Sequence, residues 1–360
     1  ESGLVKGFVD KNTINPTEIY DGIIVPGLFN SHCHLEHSGM NIEKVEDLTD
    51  FIYQLRYYTA DENWNYSKND IAQVDKMMAK EGIVFCADIS NSVSTIEQKI
   101  ESEINYHTFL ELFGVNKKES RKFFLDGLEK KKLFNLKNLF SSLTPHSFYS
   151  LSDELMILLL DYIVDNENFM SVHFMESYKE LHPKQISHDI SNRLNNKQIV
   201  SKENIETISE CLARLLSKNP YRGKVLFIHA IYIDVKMLEL LDKLLINSWF
   251  CICPTSNLFI EKRMISANIL EKHIKRVVLG TDGQASNSLM SIVQEMFLFQ
   301  DYYKLPFWKV LNCVTKNPSQ FFEQHNLGKI EIDKKSTLVH ISNFDFHNEA
   351  LTKWSRGEKI

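Results

Sequence analysis

Two histidines separated by one residue stand near the start of the chain, in the segment His32-Cys33-His34-Leu35-Glu36. In an extended strand alternate side chains share a face, so His32, His34 and Glu36 would point one way. Two imidazoles on one face are a natural pair of ligands for a metal ion. A pair this short also arises by chance, so by itself it indicates little.

Three later segments carry side chains of the same chemical kind. His173 is followed three residues later by Glu176, and His229 closes an apolar run. Asp282 lies in the segment Leu-Gly-Thr-Asp-Gly. If each segment ends a strand of one barrel, all of them meet at the same face, where active sites are found. Nitrogen and oxygen ligands suit Zn²⁺ or Fe²⁺. The predicted ligands are His32, His34, His173 and Asp282.

Eight short runs rich in β-branched and aromatic residues must position these side chains. The predicted strands are 23–29, 83–89, 106–113, 139–143, 170–174, 225–228, 249–252 and 277–279. Helical signals lie between them, such as Ser152 before two acidic residues and an apolar stripe over 289–297. Eight strands alternating with helices predict an α/β fold, a (β/α)₈ TIM barrel. A doubly wound sheet is disfavoured because no glycine-rich phosphate turn is present.

The two ends of the chain are expected to lie outside the barrel, which spans residues 22–327. Residues 1–21 and 328–360 have strand-like runs and are expected to form a small β domain from both termini. The chain begins with Glu1 rather than Met, so this domain is expected to be incomplete at its N-terminal side. A long irregular stretch, about 178–202, is expected to be a lid or a disordered excursion.

The ordered motifs resemble the amidohydrolase superfamily, specifically its mononuclear branch of deaminases and chlorohydrolases, with aminofutalosine, S-adenosylhomocysteine and guanine deaminases among its members. The matching segments are PGLFNSHCHLE, TPHSFYS, HFMES, FIHA, CPTSNL and GTDGQASNSL. The resemblance implies a (β/α)₈ barrel, a divalent metal ion, and hydrolytic attack on a C–N or C–Cl bond. Binuclear members carry a bridging lysine at the end of the fourth strand, where this chain has Leu143-Thr-Pro-His146. One metal ion is therefore implied, with Zn²⁺ preferred and Fe²⁺ left open.

The resemblance also implies roles for the site residues. Asp282 would ligate the ion, which makes water nucleophilic near neutral pH, and would accept the proton of that water. Glu176 would protonate a ring nitrogen of the substrate, and His229 would orient the attacking hydroxide. The residues implied to contact the substrate are Glu36, His146 and Tyr149.

Several of these positions have simpler interpretations. Glu36 could be a surface carboxylate of the first loop, and His146 could bond only within its own turn. Asn257 is expected to order the seventh loop, and Glu111 fits either a substrate contact or a salt bridge to a helix. Gly283 stands where the family usually has serine, which removes a hydroxyl beside the metal-binding aspartate.

Composition and net charge limit the kinds of molecule that the protein is expected to bind. The net charge is -6 and the pI about 6.1, so no overall field would attract nucleic acid or anionic lipid, and a small-molecule substrate is expected. The longest apolar runs, such as 155–160, are too short to span a membrane. Six cysteines without a CxxC pair indicate buried thiols in a reducing cytoplasm. A homodimer is left open.

The predicted function is hydrolysis of a carbon–nitrogen bond other than a peptide bond. The leading hypothesis is release of ammonia from an amino-substituted heteroaromatic ring, as in a purine-like base or nucleoside. A second hypothesis keeps the site but changes the reaction, to loss of chloride or hydrolysis of a cyclic amide or amidine. A third, a catalytically silent scaffold, is disfavoured because no ligand residue is lost.

Overall fold

The computed structural model describes residues 4–10, 16, 18–60, 67–181, 221–244 and 246–360. Its strands, in chain order, are β1 (Gly22–Pro26), β2 (Leu28–Cys33), β3 (Ile83–Ser90), β4 (Asn105–Leu112), β5 (Phe140–Pro145), β6 (Phe169–Phe174), β7 (Lys224–His229), β8 (Asn247–Ile252), β9 (Val277–Leu279), β10 (Leu338–Ser342) and β11 (Arg356–Lys359). The α-helices are α1 (Leu48–Ala60), α2 (Lys68–Glu81), α3 (Ile96–Glu101), α4 (Ser120–Leu136), α5 (Asp153–Asn166), α6 (Val235–Lys243), α7 (Pro254–Ile260), α8 (Ala267–His273), α9 (Ile292–Tyr303), α10 (Phe307–Cys313) and α11 (Lys316–Phe321). The predicted alternation of strands and helices is confirmed.

Two parallel four-stranded sheets, β2–β3–β4–β5 and β6–β7–β8–β9, form the barrel. The seam between β5 and β6 is joined where the His173 N–H donates to the His146 carbonyl at 2.8 Å. The seam between β9 and β2 is joined where the Asp282 N–H donates to the His32 carbonyl at 3.0 Å. Both seams therefore pass through residues predicted to belong to the site.

Apolar side chains fill the barrel and the space around it. Inside, aromatic rings such as Phe29, Phe85 and Phe109 are almost fully buried and belong to one cluster. A larger cluster packs the outer faces of the strands against the helices. The barrel is thus a packed core instead of an open channel. No helix in the described part of the chain has the length and apolarity needed to cross a membrane.

The first predicted strand, 23–29, is wrong as a single element. Residues Gly22–Pro26 pair antiparallel with β10, which in turn pairs with β11. The barrel strand begins only at Leu28, after Gly27, where an added Cβ would lie 2.4 Å from Val84 Cγ1. The chain passes between sheet and barrel at a point with no room for a side chain. β1 thus belongs to the small antiparallel sheet, and the domain boundaries at 22 and 328 stay predictions.

Three further expectations concern the helix start at Ser152, the N-terminal residues and the irregular stretch 178–202, and their outcomes differ. The cap at Ser152 is confirmed, since its hydroxyl accepts from the Leu155 N–H at 3.2 Å. Among the described residues before Gly22, Leu4 forms one bridge with Lys335, and none lies in a strand. Of the predicted irregular stretch, 178–181 forms a 3-10 turn, and the rest lies outside the described residues.

Candidate active site

His32 and His34 reach the barrel mouth through an irregularity in β2. The pairing of β2 with β3 shifts register between Asn30 and Cys33, and such irregularities re-aim side chains. Cys33 packs in the outer apolar cluster. The Nε2 atoms of His32 and His34 lie 3.5 and 3.4 Å from Asp282 Oδ1. The two imidazoles therefore face the same carboxylate oxygen.

The sequence pattern placed Glu36 on an extended strand, but the chain instead forms a 3-10 turn over Leu35–His37. Its carboxylate accepts hydrogen bonds from the Asn91 N–H at 2.9 Å and the Ser92 hydroxyl at 2.8 Å. The Ser92 N–H adds a third at 3.2 Å. Glu36 thus holds the loop after β3, and its contact with substrate stays a prediction.

His173, at the end of β6, brings the third imidazole. One ligand nitrogen from each of His32, His34 and His173 lies within 4.8 Å of the others. The His173 Nδ1–H donates to the His146 carbonyl at 3.2 Å, and Glu111 Oε2 lies 3.4 Å from the same nitrogen. Nε2 is therefore the nitrogen left to face a cation, because hydrogen bonding of Nδ1 fixes the tautomer.

Asp282 follows β9 with a left-handed backbone, at φ 60°. While Oδ1 faces the histidines, Oδ2 accepts hydrogen bonds from the hydroxyls of Ser256 at 2.6 Å and Ser286 at 2.9 Å. Burial opposes ionisation of this carboxyl, but its interactions with the nearby His32, His34 and His229 imidazoles outweigh burial and hold its pKa well below the usual range. An ionised carboxylate with one oxygen fixed is suited to bind a cation through the other.

The glycine at 283 has a steric explanation. The His34 and His37 rings are stacked, with centroids 4.9 Å apart and an interplanar angle of 3°. An added Cβ at Gly283 would lie 3.1 Å from His34 Cβ and 3.4 Å from His37 Nδ1. The space that a serine side chain would take is occupied by the histidine stack, and the serines at 256 and 286 supply hydroxyls to the aspartate instead.

His229 and Glu176 form a second pair beside the three histidines. His229 Nδ1 donates to Asn257 Oδ1 at 2.7 Å, and Nε2 lies 3.5 Å from Glu176 Oε1. Burial, and then the charge of Asp282, raises the pKa of Glu176 well above its usual value. Burial lowers the pKa of His229. The raised pKa favours the protonated form of Glu176, and the lowered pKa favours the neutral imidazole of His229. Asn257 contacts the site instead of only ordering its loop.

The residues after β4 and β5 complete one side of the site. The His146 ring lies 4.7 Å from the His173 ring, and its Nδ1 is 2.9 Å from the Ser150 hydroxyl. Burial, followed by the Arg56 charge, lowers the pKa of His146 to about 3. Burial raises the pKa of Glu111 to about 8. Glu111 thus contacts His173, a predicted ligand, instead of forming a salt bridge to a helix among the described residues, and its contact with substrate stays a prediction.

Tyr149 lies deeper in the loops. Its ring is 6.1 Å from the His146 ring and edge-on to it. The side chain is buried in a small apolar cluster of loop residues that includes Met40 and Ile42. The structure thus brings together the predicted metal ligands, Glu176, His229 and His146, with Tyr149 behind them and Glu36 turned toward another loop.

The sequence reasoning missed several residues that contact this group. They are two hydroxyls, one carboxylate after β6 and one amide in the last loop, namely Ser256, Ser286, Glu180 and Asn287. Three of them lie inside the quoted motifs CPTSNL and GTDGQASNSL, so short distance in sequence from a predicted site residue was the available signal.

The donor set fits a divalent cation. Both ring nitrogens of His32 and the Nδ1 of His34 are buried and have no hydrogen-bond partner within the described ranges. Burying a polar atom without a partner is costly unless something else satisfies it. Burial lowers the pKa values of His32, His34 and His173, so their rings are neutral, as metal ligands must be. Three imidazole nitrogens and one carboxylate oxygen suit Zn²⁺ or Fe²⁺.

A (β/α)₈ barrel with titratable and potential metal-binding side chains at the carboxyl ends of its strands has the arrangement of a TIM-barrel active site. The chain belongs to the amidohydrolase family, which matches residues 23–360. Family membership together with the deaminases among its relatives identifies a hydrolase that acts on carbon–nitrogen bonds.

Three comparisons illustrate this relationship. The adenosine deaminase of Helicobacter pylori is 24% identical over 350 residues, covering 92% of this chain and 81% of that protein. Aminofutalosine deaminase of H. pylori, solved in complex with methylthio-coformycin, has a TM-score of 0.77 at 20% identity, covering 91% of this chain and 81% of that one. A variant of atrazine chlorohydrolase from Arthrobacter aurescens, solved with zinc and atraton, has a TM-score of 0.63 at 15% identity, covering 88% and 75%. The two structures show that the fold is shared.

Proposed function

We propose that this protein is a metal-dependent deaminase that releases ammonia from the amino-substituted heteroaromatic ring of a purine-like base or nucleoside. The observation that carries the proposal is the meeting of three histidine nitrogens within 4.8 Å, with a carboxylate oxygen 3.4–3.5 Å from two of them. Glu176, buried and with a raised pKa, lies beside this group. The deaminase relatives of the protein support the same reaction class.

The cation would be held by His32, His34, His173 and Asp282. A divalent ion bound there supplies Lewis acidity and lowers the pKa of water toward neutrality. We propose a single ion, Zn²⁺ first and Fe²⁺ as the alternative, because the fourth barrel strand β5 leads into His146 instead of a lysine.

The acid–base work falls to three side chains. Glu176, whose raised pKa favours the protonated form, would deliver its proton to a ring nitrogen as the neighbouring carbon becomes tetrahedral. Asp282, ionised, would accept a proton from the attacking water and pass it to the departing ammonia. His229 would orient the nucleophile through Nε2, since its Nδ1 is bonded to Asn257.

The substrate is proposed to be a small molecule lying between Glu176 and His146, with Tyr149 behind. Contact with Glu36 would require that carboxylate to exchange one of its donors at Asn91 and Ser92 for a substrate group. Five buried free cysteines support a cytoplasmic location; the sixth, Cys211, lies outside the described residues. A homodimer stays a prediction.

The test is ammonia release by metal-replete protein from adenosine-like, guanine-like and cytosine-like compounds. We expect turnover of a purine compound, and losses of at least about 100-fold in Glu176→Ala and Asp282→Asn. Asp301→Asn, at an exposed ion pair with Lys304 on α9, is the matched control and should be fully active. Silence of the metal-replete wild type across the panel would refute the proposal. Chloride release from a triazine would favour the chlorohydrolase alternative. A protein that keeps its activity in cells after both site changes would favour the scaffold.

A further inference from the structure

One buried carboxylate near the site has no part in the scheme above. Glu180 lies in the 3-10 turn Tyr178–Leu181 and is 2% exposed. Its Oε1 accepts hydrogen bonds from the N–H groups of Glu176 at 2.7 Å and Ser177 at 3.2 Å. Its Oε2 accepts one from the Met175 N–H at 2.9 Å. Both oxygens are thus used by three consecutive backbone groups directly after β6.

The backbone at this point needs such an acceptor. Met175 has a left-handed backbone, at φ 48°, and the chain turns sharply away from the strand. The turn points successive N–H groups at one spot, as in the anion-binding concavities of other proteins, and here they donate to the carboxyl group of Glu180 in the same chain. Without Glu180 these buried donors would lose their partner, which a folded protein avoids.

The same bonds fix the start of the Glu176 side chain. Because Glu180 holds the N–H of Glu176 and of both its neighbours, the Cα of Glu176 has little freedom to move. From that position the Glu176 carboxyl reaches to 3.5 Å from His229 Nε2. A proton donor must sit within hydrogen-bond reach of its target, and a displacement of about 1 Å can cost about 100-fold in rate.

We propose that Glu180 is a positioning residue, which holds Glu176 in place to protonate the substrate ring through the backbone N–H groups of residues 175–177. The inference rests on the proposed function, since it takes the role of Glu176 from there. Glu180 itself does not touch the substrate, because both its oxygens are bonded to backbone.

A purely structural role would be to keep the whole turn attached to the protein, but the turn has a second attachment. Lys179 Nζ donates to Asp47 Oδ2 at 3.0 Å and to the Thr49 hydroxyl at 3.1 Å, at the start of α1. Loss of Glu180 alone leaves this outer contact in place. Its effect should therefore be concentrated on Met175, Glu176 and Ser177.

The decisive variant is Glu180→Gln, compared with Glu167→Gln. Glu167 is also a buried carboxylate, 7% exposed, whose Oε1 accepts from the Leu143 N–H at 3.0 Å, but it precedes β6 at the opposite end of the strand. The carbonyl oxygen of glutamine can accept a hydrogen bond, but its NH₂ group cannot, so Glu180→Gln leaves at least one of the three N–H groups unpaired. We expect kcat to fall about 100-fold, with KM and metal content within about twofold of wild type. Glu167→Gln should keep kcat within about threefold.

A second readout uses a purine nucleoside analogue whose reacting carbon is tetrahedral and carries a hydroxyl. Its affinity should weaken about as much as kcat in Glu180→Gln, because analogue binding follows transition-state contacts. Glu180→Asp keeps the carboxyl group but shortens the side chain by one methylene. It should give an intermediate loss with normal metal content, and it replaces the glutamine variant if that variant does not fold. Equal kcat in Glu180→Gln and Glu167→Gln, or loss of bound metal in the former, would overturn the proposal.

Failure of the proposed function would look different, since the wild type itself would then be inert. Crystal structures still decide the present inference in that case. The contact between Glu176 Oε1 and His229 Nε2 should be lost in Glu180→Gln and kept in Glu167→Gln. Retention in both would show that Glu180 does not position Glu176.

Discussion

The carboxylate of Asp282 has its two oxygens in different surroundings. Oδ1 faces the His32 and His34 rings, whereas Oδ2 is held by the hydroxyls of Ser256 and Ser286. These serines come from different loops, so the orientation of the carboxylate depends on two separate parts of the chain. Groups that orient a ligand in this way tune the affinity of a metal site.

Removal of both hydroxyls should weaken metal binding. In Ser256→Ala/Ser286→Ala the Oδ2 atom loses two hydrogen bonds to a charged group, each contributing about 1.5–3 kcal/mol. We expect metal affinity to fall by about 10–100-fold, measured by competition with a chelator. Ser288→Ala, at an exposed position of the same loop, is the control. Equal affinities in the double variant and the control would contradict the assigned role.

A serine at position 283, as is usual in the family, should not improve this enzyme. Gly283→Ser would press its Cβ on His34, at 3.1 Å, and tilt one of the predicted ligands. We expect metal affinity and kcat/KM to fall by about 10-fold. The measurement is steady-state turnover together with metal content, with Gly283→Ala separating the effect of bulk from that of the hydroxyl. A rise in kcat/KM would show that His34 and His37 move to accommodate the serine without loss of activity, which would contradict the steric explanation.

At the scale of elements, buried carboxylates hold the loops that carry the site. Glu36 accepts hydrogen bonds from the loop after β3, and Glu180 accepts them from the turn after β6. Glu295 on α9 accepts one from the N–H of Thr255 at the start of α7. Asp88 on β3 accepts from the Leu35 N–H at 2.7 Å and so fixes the chain just after His34. Each bond joins the end of one strand to a different element, which makes the barrel mouth a single connected unit.

The support of Asp88 can be tested through its partner on α3. Lys99 Nζ lies 2.5 Å from Asp88 Oδ2, and both side chains are fully buried. Lys99→Met would leave a buried carboxylate without its cation, a change that costs about 3–5 kcal/mol. We expect a large drop in melting temperature and in metal content.

The control for this variant is an exposed ion pair between α2 and the same helix, α3. Lys68 pairs with Glu97 of α3 at the same 2.5 Å, but the two side chains are 77% and 74% exposed. Lys68→Met should therefore change stability by less than about 1 kcal/mol. Equal melting temperatures for the two variants would show that the buried pair does not support the site.

For the whole molecule, buried acids and histidines set how stability depends on pH. Burial raises the pKa of Glu295 and Glu180 to about 8, above the value of 4.5 expected when unfolded. The stability they contribute is complete below about 4.5 and is lost as pH rises through about 8. Buried histidines such as His107 have lowered pKa values, so they reduce stability only as pH falls below 6.5.

Between pH 6.5 and 8, the buried acids therefore dominate. We expect the free energy of unfolding of metal-depleted protein to decrease over this window, measured by denaturant titration at several pH values. Glu295→Gln should make the decrease smaller, whatever it does to absolute stability. Glu239→Gln, at an exposed position of α6, should leave the slope unchanged. A stability that rises from pH 6.5 to 8 would contradict the assignment.

The sequence by itself determined the barrel and the chemical kind of its site. Strand runs and their alternation with helices depend on local pattern, and seven of the eight predicted strands are observed at nearly their predicted bounds. The remaining one, the first predicted strand, was placed too early, because the pattern of 23–29 does not reveal that Gly22–Pro26 pairs with β10. Ligand residues could be named because strand ends of a barrel converge on one face.

The tertiary structure alone decided which atoms meet. The bond between Ser256 and Asp282 spans 26 positions and that between Glu36 and Asn91 spans 55, so neither follows from the period of a strand or helix. Periodicity assigns a residue to a face, whereas a hydrogen bond requires a distance and a direction between two loops. Glu180 is the clearest case: its place in the sequence gives a surface turn, and only the fold turns three N–H groups toward its carboxylate.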